Sequence, residues 1–240
     1  MLKRFYLKRI ITCLIALFTI LLIYIVPSNS EEKYEEVIEY VNKDIKTHDI
    51  FLLDSNNYLA NTKIPINSND TISIAKELIN ALIIDSNMQD KIPNGFKALI
   101  PSGTNILNLT YDNKVIKINF SKDLLNTSIE NEQKIIEAIV FTLTSIKDVD
   151  FVIINLEEEI LTKLPQSKII LPSTLDRSFG INKEYNITNN KNINKTTVYY
   201  VGKFNDTTYY IPVTKVNNDN RSKIEIIIDE FRAIMFINQT

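Results

Sequence analysis

The chain has 240 residues, 45% of them hydrophobic and 23% charged, with 27 basic against 29 acidic side chains and a net charge of −2. That balance lacks the concentrated positive field a nucleic-acid binder requires, so no nucleic-acid partner is expected. One cysteine and one histidine exclude a disulfide framework, a cysteine-built metal cluster and a multi-histidine metal site.

At the amino terminus Lys3, Arg4, Lys8 and Arg9 precede an apolar run from Ile10 to Val26, broken only by Thr12, Cys13, Thr19 and Tyr24. About 17 residues is the short end of what crosses a hydrocarbon core. Cationic flanks stay cytoplasmic, so residues 1–30 read as a cytoplasmic tail and single transmembrane anchor in the cell membrane, with the rest extracytoplasmic. A cleaved signal peptide is the rival reading, with Pro27-Ser28-Asn29-Ser30 near a cut site. Val26-Pro27 does not make the usual small-residue pattern, however, and the run is long for a signal sequence. Cys13 lies near the start of the run, where lipid attachment is not expected.

Residues 31–47 form a charged juxtamembrane segment with Tyr34, Val37, Ile38, Val41 and Ile45 at helical spacing. It reads as a short amphipathic helix, or as a coiled-coil seam too brief to insist on. The period then changes. Ile50 to Leu53 is an apolar run of strand length, Asp54 to Asn57 carries turn chemistry, and Tyr58 to Pro65 is a second strand. Asn69-Asp70 caps a helix striped by Ile74, Leu78, Ile79, Leu82 and Ile83. Pro93-Asn94-Gly95 and Pro101-Ser102-Gly103 mark loops. A hairpin follows, Ile106 to Tyr111 and Val115 to Phe120. Thr127 to Glu130 fits a capping box ahead of the clearest helix, striped by Ile135, Ile136, Ile139, Val140, Leu143 and Ile146. Phe151 to Leu156 is a further strand, and Glu157 to Glu159 turn into Ile160-Leu161. Residues 50 to 161 thus predict two strand–strand–helix passes onto one sheet, an α/β (α+β) domain over 48–162.

Residues 163–195 read as a linker, low in complexity from Asn182 to Asn194. Residues 196–240 then repeat the start of the domain. Val198 to Val201 and Tyr209 to Val213 reproduce the first hairpin. Asn218-Asp219 caps the next helix as Asn69-Asp70 did, and Ile227, Ile228 and Phe231 stand for Leu78, Ile79 and Leu82. The offset is about 148 residues, varying by one at the turns. A half-unit of this kind leaves an apolar helix face and a sheet edge uncovered. Either the chain is a fragment, the plainer expectation, or the half docks on the first copy or on a neighbouring molecule.

Four short segments carry a family resemblance: Leu99-Ile100-Pro101-Ser102-Gly103-Thr104 before the second hairpin, Asn119-Phe120-Ser121 ending it, Thr142-Leu143 late in the helix, and Val149-Asp150-Phe151-Val152 beyond. They resemble the Germane (GerMN) domain family of bacterial sporulation, germination and surface proteins, fully over residues 48 to 161 and partially over 196 to 240. The tandem arrangement is similar to that of family members in which two such domains follow a membrane-attachment segment. Those use a lipid-modified cysteine, which this chain lacks a site for. The resemblance implies partner binding without catalysis, a fold similar to ring-building domains of secretion and sporulation channels, and an envelope protein partner in a ring or channel assembly. It supplies no catalytic residues.

No cofactor, metal or catalytic set is expected. His48 sits just before the first strand as an exposed linker residue rather than a general base. Four glycines include no phosphate-cradling motif. Asp54, Asp112 and Asp206 fall in hairpin turns. The candidate interface is the aromatic cluster Tyr199, Tyr200, Tyr209 and Tyr210. Alternation sends one tyrosine of each adjacent pair outward and one into cross-strand packing. The function read from these features is a membrane-anchored extracytoplasmic binding or scaffold protein of sporulation or germination. A wall-glycan or small-ligand module is the alternative, and a wall hydrolase ranks third.

Overall fold

The computed structural model describes residues 2–25, 46–189 and 191–218, together with positions 224, 225, 227 and 228. The chain divides into two compact units, Met1–Lys43 and Asp44–Thr240. In the first, helix α1 runs Leu2–Ile25. Its apolar side chains Ile10, Leu14, Leu17, Phe18 and Leu21 are exposed, as is the thiol-bearing Cys13. Among the described residues, no helix is long and apolar enough to cross a membrane. Val26 and residues 31–45 lie outside the described residues.

The second unit begins with the hairpin β1 (Thr47–Leu53) and β2 (Leu59–Pro65), in register from Thr47↔Pro65 to Leu53↔Leu59. His48 is therefore a strand residue, half-buried opposite Ile64, and not an exposed linker residue. Helix α2 (Thr71–Leu82) starts at Asp70, whose carboxylate accepts the Ser73 N–H at 2.9 Å, and buries Ile74, Leu78, Ile79 and Leu82 on one stripe. A second hairpin, β3 (Ile106–Asp112) and β4 (Val115–Phe120), is followed by α3 (Ile129–Leu143), then β5 (Phe151–Leu156) and the short β6 (Glu159–Ile160). Strand β5 lies parallel to β4, with α3 as the crossover between them. The cap of α3 differs from the expected box. The N-cap is Ser128, and its backbone carbonyl, not its side chain, takes the Asn131 and Glu132 N–H groups.

Over residues 47–160 the element order is the one read from the sequence, but the strands do not share one sheet. Strands β3-β4-β5-β6 form one sheet, while β1 and β2 join a second sheet with strands from the carboxy-terminal third. That third supplies β7 (Glu184–Asn186), β8 (Asn194–Phe204) and β9 (Thr207–Asn217), with order β1-β2-β9-β7 and β8 pairing the far side of β9. Helix α3 explains the split. It packs on β1, on α2 and on β5, and its middle is buried all round, Ile135 to Leu143. A helix covered on opposite sides separates two sheets, and alternation along a strand reveals its buried face without naming its neighbour. The outer edge of β1 is shielded by α3 and the turn that follows it: Thr142 Oγ1 accepts the Phe51 N–H at 3.0 Å, and Ser145 Oγ donates to the Asp49 carbonyl at 3.0 Å.

The second hairpin of the repeat docks on the first. The register pair joining β2 to β9 is Asn61↔Tyr210. The spacing between those two residues is the one that separates Asn69-Asp70 from Asn218-Asp219, so equivalent strands of the two copies meet at equivalent positions. An antiparallel contact of that kind has local twofold symmetry. Positions 224, 225, 227 and 228 are helical, as the repeat requires, and Phe231 lies outside the described residues. The tract after Lys163 buries Leu164, Leu171, Leu175, Phe179 and Ile181 in the same core as the helices, and Leu175 pairs with Val152 of β5.

Candidate interaction surface

The four tyrosines divide by strand alternation. On the β8–β9 hairpin Tyr199 faces Pro212, Tyr200 faces Ile211, Val201 faces Tyr210 and Gly202 faces Tyr209. Tyr199, Val201 and Tyr210 share the outward face, at 55%, 67% and 61% exposure. Tyr209 points inward and is buried. Its hydroxyl donates to Asp54 Oδ2 at 3.2 Å, and its ring meets Phe96 edge-on at 4.9 Å between centroids. Burial, with the Asp54 charge beside it, raises the Tyr209 hydroxyl above its ordinary pKa. Gly202 makes this possible, because a Cβ there would stand 2.4 Å from the Tyr209 ring. Asp54 is fully buried in the β1–β2 turn, where its Oδ1 accepts the N–H groups of Asn56 and Tyr58 at 2.9 Å each. The carboxylate that the sequence assigns to turn chemistry therefore also holds the two hairpins together. Tyr200 is half-buried, with the Lys215 ammonium 5.6 Å from its ring centre.

A polar cluster next to the β2–β9 seam has no counterpart in the sequence reading. Asn182, at a φ of 46°, accepts the Leu59 N–H on Oδ1 at 2.9 Å and donates through Nδ2 to the carbonyls of Leu59 at 2.7 Å and Pro212 at 2.8 Å. One amide side chain thus bridges β2 and β9, and its own N–H is taken by Glu137 of α3 at 2.8 Å. Glu137 also accepts from Gln133 at 2.6 Å and pairs with Lys183 at 3.3 Å. The Lys183 ammonium lies 3.2 Å from the centre of the Phe179 ring. Burial lowers Lys183 from its ordinary value to about 8, against the attraction of Glu137. Burial likewise raises Glu137, with Lys183 acting in the opposite direction. Asn182 stands at the head of the low-complexity tract, and Glu137 breaks an otherwise apolar run, Ile135-Ile136-Glu137-Ala138-Ile139-Val140. That interruption was the available signal.

Two clefts flank the seam. One, of about 500 Å³, lies between the end of β2, the start of β9 and the Pro93–Phe96 loop. The other, of about 490 Å³, is lined by Tyr58, Gln133, Lys134, Lys183 and Tyr185. Among the described residues, no group of three or more histidine, cysteine, aspartate or glutamate side chains is arranged to hold a metal ion.

The family described as Germane, sporulation and spore germination, matches residues 49–162. Residues 49–162 are a Germane domain. The chain is 30% identical over 185 residues to the spore germination protein GerM of Bacillus subtilis (strain 168), an alignment covering 76% of this chain and 50% of GerM. The solved tandem GerMN domains of the sporulation protein GerM are similar to this chain with a TM-score of 0.67 at 27% identity, over 74% of this chain and 62% of that one. The first GerMN domain of the same protein gives a TM-score of 0.52 at 25% identity, over 55% of this chain and 98% of that one. The chain spans about half the length of the curated relative it matches. The Germane match ends near Thr162, so Asn182, Lys183 and the whole β8–β9 hairpin lie beyond it and complete the sheet to which β1 and β2 belong.

Proposed function

We propose that this chain is a membrane-anchored, extracytoplasmic binding or scaffold protein of spore formation or germination, with no catalytic role. The observation that carries the reading is the Germane domain at 49–162 continuing into a second, repeat-derived hairpin, the tandem organisation of a protein named for sporulation. The anchor is α1. Its apolar stretch is short, but Lys8 and Arg9 can extend their charged ends to the headgroups while their stems stay in the hydrocarbon, which lengthens the effective span. The cationic flank keeps the amino terminus cytoplasmic and the second unit outside. The partner is an envelope protein, in a ring or channel assembly, and the outward face of Tyr199, Val201 and Tyr210 is the contact surface.

Affinity capture of the full chain from mildly solubilised envelope membranes tests the reading, and recovery of a defined protein partner is expected. Capture of no protein, or labelling that finds the carboxy-terminal unit facing the cytosol, removes it. A second reading, binding of wall glycan or a small germinant, draws on the exposed rings of Tyr199 and Tyr210 as stacking platforms. Titration with muropeptides decides it, because unchanged tyrosine fluorescence and no heat eliminate it.

A further inference from the structure

The twofold character of the β2–β9 seam makes its two halves comparable, and among the described residues only one is filled. On the filled side the chain's own tract from Ile181 onward lies against β9. Thr214 exchanges hydrogen bonds with Ile181, through its N–H at 2.9 Å and its Oγ1 at 3.0 Å. Beyond it Glu184 to Asn186 run parallel to Lys215 to Asn217 as β7. The Asn182 amide completes that side by bridging both groups of Leu59 to the carbonyl of Pro212.

The repeat spacing that carries Asn61 to Tyr210 also carries Leu59 to Thr208 and Lys63 to Pro212. The counterpart of the Asn182 seat is therefore the space between Thr208 and Lys63. Both residues line the 500 Å³ cleft. Strand alternation turns the backbone groups of Lys63 the same way as those of Leu59, and those of Thr208 the same way as the carbonyl of Pro212. Among the described residues, neither Lys63 nor Thr208 has a register partner across the seam. At the closed end, Asn61 lines the cleft and its buried Oδ1 has no hydrogen-bond partner. Phe96 and Phe204 add apolar wall, while Asp49 and Lys63, cross-strand neighbours, leave the lining with no dominant charge.

We infer that this open half is a docking site for an extended peptide of a partner protein, laid parallel to β2 as β7 is laid along β9, with an asparagine side chain in the seat between Thr208 and Lys63. The inference rests on the binding reading and names the chemistry of the partner. A peptide experiment addresses the cleft alone, so it can fail while envelope capture succeeds, and the reverse.

The probe is a synthetic nonapeptide of this chain's own sequence from Phe179 to Ile187, carrying a photoreactive group and offered to the full chain in detergent. The expected result is saturable crosslinking to residues 61–63 and 207–210, with binding at least tenfold weaker when the asparagine equivalent to Asn182 is alanine. Thr208→Pro removes an N–H directed into the cleft and should weaken binding at least tenfold with an unchanged circular dichroism spectrum. If that variant does not fold, the crosslink map and the alanine peptide decide. Adducts confined to other residues, equal affinity of the two peptides, no binding at millimolar concentration, or displacement by muropeptides would each overturn the inference.

Discussion

Glu137 and Lys183 lie 3.3 Å apart with side chains only 1% and 5% exposed, one from the most deeply buried helix and the other from a tract that looks like a linker in sequence. Desolvating two charges costs about what their attraction returns, so such a pair specifies an arrangement more than it adds stability. Here it fixes where Asn182 sits, and so where β9 meets β2.

Removing one member should therefore cost more than removing both. Lys183→Met leaves the buried Glu137 carboxylate with its Gln133 and Asn182 donors but no cation, and is expected to destabilise by about 3 kcal/mol at pH 8. The double variant Glu137→Gln with Lys183→Met keeps an acceptor for the Asn182 N–H and should recover most of that loss. Urea midpoints of the three proteins give the comparison, and equal values for the single and double variants would contradict it.

The same pair sets a pH dependence whose sign follows from the two shifts. Lys183 has its folded value near 8 against 10.5 ordinarily, so between those limits the unfolded chain binds more protons and stability rises with pH. Glu137 is raised above its ordinary 4.5, so just above that value the folded chain binds more protons and stability falls as pH rises. Unfolding followed at pH 5, 7 and 9.5 should show its lowest contribution from the pair near neutrality, and the double variant should flatten the profile.

Asn182→Ala strips three hydrogen bonds and leaves the Leu59 and Pro212 groups buried without partners. Each such loss costs about 1 kcal/mol or more, so a destabilisation of roughly 3 kcal/mol is expected. The left-handed φ adds to it, since asparagine tolerates that conformation better than alanine does. Amide exchange at Leu59 should accelerate more than exchange in β4 and β5. Uniform acceleration would mean that the seam does not open separately.

Gly202→Ala should displace the Tyr209 ring, breaking its bond to Asp54, for about 1–3 kcal/mol. Tyr209→Phe loses only the hydroxyl and should cost about 1 kcal/mol. Thermal unfolding ranks them, and the reverse order would show that the hydroxyl matters more than the space. Substituting serine at the outward Tyr199 and Tyr210 should move stability by less than about 0.5 kcal/mol while reducing partner recovery in envelope capture.

Much of this fold was legible in residue order. The strand–strand–helix succession, the Asp70 cap and the existence of the carboxy-terminal hairpin rest on local signals, namely period, capping chemistry and turn residues, although its turn, read from Gly202 to Asp206, is only Asn205-Asp206. Partner choice between strands was not legible. The β1–β2 hairpin has one apolar face whether it joins β3 or β9, and the pairing is decided by Asn182, Glu137 and the fit of Tyr209 over Gly202, all distant in sequence. His48 misled because a lone polar residue ahead of an apolar run resembles a strand boundary. The tyrosine alternation was readable from position alone, since β8 and β9 are regular across the whole cluster.

The seam between Asn61 and Tyr210 also imposes an order of events during synthesis. The amino-terminal hairpin emerges early, but the strand that covers its open edge is delivered only when translation has passed Asn217. Until then the chain must carry a half-finished sheet, a state prone to wrong pairings and slow to resolve because its closing contacts span most of the polypeptide. Completion of this sheet is thus held back until β9 is made, and any factor that guards nascent chains has a long task here at the edge of β2.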